Sequence, residues 1–176
     1  MKKTILLAFL GAGLFTANAQ TETATATLTV TLNPIQTIVV NPSQNPVDLE
    51  YTSIDNYNNG VAQENADHLT IYSTGGFEVT VLATNLSNIS NSTTIDASTI
   101  TVKPTKGARP IDGTPKYKDV ELTPTAQSLI TSDKGGFDRT VSVTYAGAGG
   151  QKYMDKYQTG KTNVFTTEVT YAIIAK

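Results

Sequence analysis

The feature that most constrains this chain is the period of its apolar residues, which recur at every second position over short stretches. Residues 21–32, TETATATLTVTL, alternate hydroxyl and apolar side chains almost without a break. A period of two places successive side chains on opposite faces of an extended chain, whereas a helix needs 3.6. Threonine, valine and isoleucine fill these stretches, and their branched side chains suit a pleated, half-buried surface. The pattern predicts strands at 23–33, 35–40, 47–51, 68–73, 77–84, 100–103, 120–123, 140–145 and 164–174. Turn formers separate them: Pro34, Asn41-Pro42, Asn45-Pro46, Asn58-Asn59-Gly60, Gly75-Gly76, Asp112-Gly113, Gly135-Gly136 and the glycine-rich run 147–150. About nine short strands so punctuated predict an all-β fold, a single antiparallel β-sandwich with little helix. Residues 151–158 have the most helical character, with a second short turn expected at 62–67.

The first residues belong to a different class of segment. Lys2 and Lys3 precede the apolar run from Ile5 to Phe15, and Ala17-Asn18-Ala19 supplies the small residues of a cleavage site. Residues 1–19 are therefore expected to be a signal peptide and 20–176 the β-sandwich domain, exported to the periplasm or to the cell exterior and surface. The residue after the cut is Gln20 and the chain has no cysteine, so neither a lipid-bearing cysteine nor a disulfide is available. The apolar run is shorter than the roughly 20 residues that span a bilayer, and no second such run follows, so no transmembrane anchor is expected. Without Lys2 and Lys3, the balance of 13 basic and 15 acidic residues moves to a net charge of about −4. That balance offers no basic face to nucleic acid.

Two stretches echo each other. LTIYSTGGFEVTV, from Leu69, and LITSDKGGFDRTVSVTYA, from Leu129, both run strand, polar turn, Gly-Gly-Phe, acid, strand. They predict two similar hairpins whose paired glycines take positive φ in a tight turn, with Phe77 or Phe137 dropping into the core. Thr170-Tyr171-Ala172 repeats Thr144-Tyr145-Ala146, which fits two similar strands.

Catalytic chemistry finds few footholds. The single histidine, His68, starts a predicted strand, and no Gly-x-Ser-x-Gly elbow accompanies the many serines. Residues 147–152 depart from the phosphate-loop spacing, and Glu64 with Asp67 reads as a solvated turn. Oxygen ligands crowd into Asp55, Asn56, Asn58, Asn59, Glu64, Asn65 and Asp67, the donor type calcium uses, but the spacing is not that of an EF-hand, and an Asn/Asp-rich connector between strands is the reading favoured over calcium. No cofactor is expected beyond that one structural-calcium candidate. Asn85 to Thr93 carries three Asn-x-Ser/Thr triplets and is expected to be an outward-facing polar loop. Tyr153 and Tyr157, four apart after the glycine run, mark a candidate ligand loop whose rings either stack on a sugar or cap the sandwich.

In an extended segment 23–32, Ala24, Ala26, Leu28, Val30 and Leu32 face one way and the threonines the other. This row either forms the first strand of its own sandwich or crosses to a second subunit and completes that sheet, the mode in which ladders give affinity and alternating pockets give register. A cleavable leader, an alternating N-terminal row, a sandwich body and the β-rich stretch VFTTEVTYAII, ending at Ile174, together resemble the subunits of bacterial surface fibres (fimbriae, or pili) assembled by donor-strand complementation. The chain is also similar to small exported β-sandwich proteins of Bacteroidetes. The resemblance implies a sandwich of immunoglobulin-like or pilin-like kind and a non-enzymatic structural or adhesive surface protein whose partners are other subunits or cell-surface components. The disulfide common in such subunits is missing, and Leu32-Asn33-Pro34 leads directly into the next predicted strand. The alternative is a monomeric periplasmic or secreted ligand- or glycan-binding module using the loop at Tyr153 and Tyr157.

Overall fold

The computed structural model describes residues 22–90 and 92–176 and divides the chain into two units, Met1–Leu32 and Asn33–Lys176. The expected signal peptide lies outside the described residues. In the first unit, residues 22–32 belong to no strand and all are exposed. The strand expected at 23–33 is therefore not formed within this chain. Alternation prepares a face, but a strand exists only where a neighbouring main chain takes up its N–H and C=O groups.

The second unit has twelve strands among the described residues, in chain order β1 (Gln36–Val40), β2 (Val61–Ser73), β3 (Phe77–Ala83), β4 (Leu86–Asn88), β5 (Thr94–Ile95), β6 (Ile100–Lys106), β7 (Lys116–Tyr117), β8 (Val120–Glu121), β9 (Gln127–Ser132), β10 (Gly136–Gly147), β11 (Phe165–Thr166) and β12 (Val169–Ala175). They pair antiparallel throughout. One sheet has the order β1-β2-β10-β6-β8, a second β12-β3-β9-β7, and a small third β11-β4-β5. The all-β sandwich is thus the architecture. Its core joins Leu69, Ile71, Val102, Val141 and Val143 of the first sheet to Phe77, Val79, Val81, Leu129 and Ile130 of the second. Each such side chain, fully withdrawn from water, stabilises the fold by about 1.5–3 kcal/mol.

Several elements depart from the expected pattern. Residues 47–51 form no ladder, although Val47 and Leu49 still pack on the core. Residues 62–67, expected as a turn, lie inside β2. The helix is not at 151–158, which holds only one 3-10 turn, Met154–Lys156. It is α1 (Ile54–Asn59) instead, started by a capping box in which the Ser53 side chain accepts from the Asn56 N–H and Asn56 reaches back to the Ser53 N–H. The Asn-rich loop is not wholly outward either. Asn88 is buried in β4 and donates through Nδ2 to the Thr162 carbonyl at 2.7 Å, because β4 is clasped between β5 and β11.

The two Gly-Gly-Phe stretches are not hairpins. β2 and β3 lie in different sheets, as do β9 and β10, so both connections arch from one sheet to the other. The arches interlock: Gly136 stands opposite Ser73, and Phe77 opposite Ser132. Both serines are buried, and each donates at 2.7 Å to a carbonyl two residues on, Ser73 to Gly75 and Ser132 to Lys134. None of the four glycines takes positive φ. Gly135 is required by close approach instead, since a Cβ there would collide with the Ser73 carbonyl oxygen. Only one phenylalanine enters the core. Phe77 is the fourth residue after Ser73, but the fourth after Ser132 is Gly136, so Phe137 falls one position later and, with period two, on the other face. Phe137 is 75% exposed and meets Tyr72 edge-on at 5.6 Å.

The two arches yield a paired expectation. Gly135→Ala forces a methyl into the Ser73 carbonyl and should destabilise by about 1–3 kcal/mol in urea titrations. Gly75→Ala, where nothing lies within 4 Å of the added carbon, should stay within about 0.5 kcal/mol of the parent.

Candidate strand-pairing surface

The sandwich treats its two sides differently. On one, residues 116–121 leave the second sheet as β7 and enter the first as β8, stitching the sheets together. On the other, β1 and β12 run near each other as the terminal strands of their sheets, and no main-chain hydrogen bond joins them. The core is thinly covered there. Along β3, Phe77, Val79, Val81 and Ala83 are all buried. Their partners' row on β12, Val169, Tyr171 and Ile173, packs on the same core yet is only half-buried. Ile38 and Val40 of β1 show the same drop beside buried Leu69 and Ile71 of β2.

A partly buried polar row ties β12 to the opposite sheet. Tyr171 Oη lies 2.7 Å from Tyr145 Oη on β10, Tyr145 Oη lies 2.9 Å from His68 Nε2 on β2, and His68 Nδ1 lies 2.9 Å from Gln44 Oε1. Gln44 donates through Nε2 to the Ala66 carbonyl at 2.7 Å, which fixes its amide so that Oε1 faces the histidine. Donors and acceptors then run one way. His68 donates from Nδ1 and accepts at Nε2 from Tyr145, which accepts from Tyr171. This direction is that of the neutral imidazole, the form burial favours by holding the His68 pKa below the usual histidine value. Burial also raises both phenols above the ordinary tyrosine range. A proton added at Nε2 would reverse the row and turn the Tyr171 hydroxyl away from Tyr145. The repeated Thr-Tyr-Ala triplets thus mark two tyrosines that meet across the sandwich, a contact no periodicity displays.

The residues singled out in the sequence fall in three places. Ala24, Ala26, Leu28, Val30 and Leu32 remain exposed, with Leu28 and Leu32 at 88% and Val30 at 73%. Tyr153 and Tyr157 are separated. Tyr153 is buried, donates to Thr99 Oγ1 at 2.7 Å and meets Tyr51 edge-on at 4.9 Å, while Tyr157 is exposed. A 3-10 turn repeats every three residues, so positions four apart do not share a face as they would on an α-helix. The loop accordingly presents one ring and not a two-ring platform.

The calcium-type residues are also split. Asp55, Asn56, Asn58 and Asn59 belong to α1, and Glu64, Asn65 and Asp67 to β2. Several of their oxygens already accept from protein groups, Asp55 from Asn59, Asn58 from Gln151, and Asp67 from the Ala108 N–H. Among the described residues no three of His, Cys, Asp and Glu gather in one place, and no helix is long and apolar enough to cross a membrane. No protein-family model and no curated protein matches this sequence.

The polar row sets a pH dependence. Because the folded pKa of His68 is depressed, the unfolded chain binds the extra proton, so stability is fully present above about pH 6.5 and falls as the pH is lowered through the folded value. Thermal unfolding followed from pH 7.5 to 5.5 should show a falling Tm, and the fall should be smaller in His68→Gln, which has no proton to take up in this range.

Proposed function

We propose that this chain is an exported, non-enzymatic structural or adhesive protein of a bacterial surface, which associates with copies of itself by lending residues 22–32 as a strand. One observation carries the reading: an alternating apolar row, Ala24 to Leu32, stands exposed and unpaired in a chain whose sandwich has terminal strands left open. Soluble chains do not usually keep such a row in water without a partner for it. A neighbouring sheet edge would satisfy both of its needs at once, main-chain partners for the backbone and an apolar flank for Leu28, Val30 and Leu32. The leader-like residues 1–19 support export, and the absence of cysteine leaves association to burial and ladder hydrogen bonds.

Size-exclusion chromatography with light scattering on residues 20–176 tests this reading. The parent should form species larger than a monomer, growing with concentration. Leu28→Asp combined with Val30→Asp would bury two unpaired carboxylates in any strand partnership and should leave monomers. The double variant should stay folded as a monomer with a cooperative unfolding transition, since neither side chain contributes to the described core. A parent that stays monomeric at high concentration overturns the proposal in favour of a monomeric binding module.

A further inference from the structure

We infer that the edge receiving residues 22–32 of a second copy is β12, and not β1; this rests on the strand-lending reading above. Three features suit β12 to receive a strand, and β1 shares them over a shorter run. β12 pairs with β3 over seven consecutive positions, Val169 to Ala175, without a register shift. Its sequence, VTYAIIA, holds no charge and no proline, the devices that normally keep a sheet edge from recruiting another strand. Its core-facing side chains Val169, Tyr171 and Ile173 are half-buried, so the apolar flank beside them is unfinished.

The edge of β1 is a poorer template. It spans five residues and is bracketed by Pro34 and Pro42, which have no N–H to give a ladder. The row from Ala24 to Leu32 spans nine residues and would overrun β1 at both prolines. On β12 it would run the full length of the edge. Apolar side chains would continue the core beyond Tyr171 and Ile173, and threonines would lie on the outer face with Thr170 and Ala172. The second sheet would then have five strands, as the first already does.

The native chain lacks cysteine, so single introduced thiols report pairing directly. Residues on adjacent strands that share a face lie side by side, and the outward positions can be changed without touching the core. Thr27→Cys, Thr29→Cys and Thr31→Cys are each mixed with an otherwise native second chain carrying Ala172→Cys on β12 or Thr37→Cys on β1, then oxidised gently. Disulfide-linked heterodimers with Ala172→Cys and none with Thr37→Cys are expected, strongest for one donor position, which gives the register. Heterodimers with Thr37→Cys alone overturn the assignment to β12 while the strand-lending reading stands. Large species by light scattering with no link at either position also overturn it. A mixture that stays monomeric and unlinked removes the strand-lending reading itself.

Discussion

The fold depends on burying two alternating apolar rows against each other with no covalent staple. β2 and β10 supply Leu69, Ile71, Val141 and Val143 from one sheet, β3 and β9 supply Phe77, Val79, Val81, Leu129 and Ile130 from the other, and all are withdrawn from water. Because β2 continues into β3 and β9 into β10, the chain crosses twice between the layers at one end. The glycines at those crossings let the arches touch, and the buried serines Ser73 and Ser132 satisfy main-chain carbonyls that the crossing would otherwise strand. The interlocked arches do the work a disulfide does in many small exported domains, by holding two layers in one register.

From this centre the cover thins unevenly. Where the chain itself passes between sheets, at 116–121, the flank is sealed. Where both sheets end in β1 and β12, side chains that point at the core are only half-buried. The row from Tyr171 through Tyr145 and His68 to Gln44 spans that open flank with directed hydrogen bonds, which hold β12 in place without filling the space beside it. An apolar flank without cover and an apolar row without a sheet are complementary defects in one chain, and their complementarity is the physical basis of the functional reading.

Much of the architecture was legible in the residues. Period two is a local property, so β1, β3, β6, β10 and β12 could be found from alternation and turn formers. β4, β5 and β7, of two or three residues each, carry too little pattern to register, and β9 emerged only through its echo of β2. The helix was misplaced because Asn-rich residues 54–59 look like a turn until Ser53 and Asn56 close a capping box, a contact of geometry and not of composition. Phe137 was indistinguishable from Phe77 in sequence, since one residue of offset within the arch decides which face a side chain takes.

By itself, the sequence determined the class: alternation, absent cysteine and glycine-punctuated strands permit a non-covalent antiparallel sandwich and little else, because side-chain direction along an extended chain is set by neighbours in sequence. It also set out the alternating apolar row from Ala24 to Leu32. Only the tertiary structure decided that residues 22–32 belong to no strand among the described residues, that Tyr153 is buried while Tyr157 is not, and that His68, Tyr145 and Tyr171 form one hydrogen-bonded line. Those outcomes depend on which edges are left over after all the strands have paired, and leftover edges are a property of the whole sheet order, which no local stretch contains.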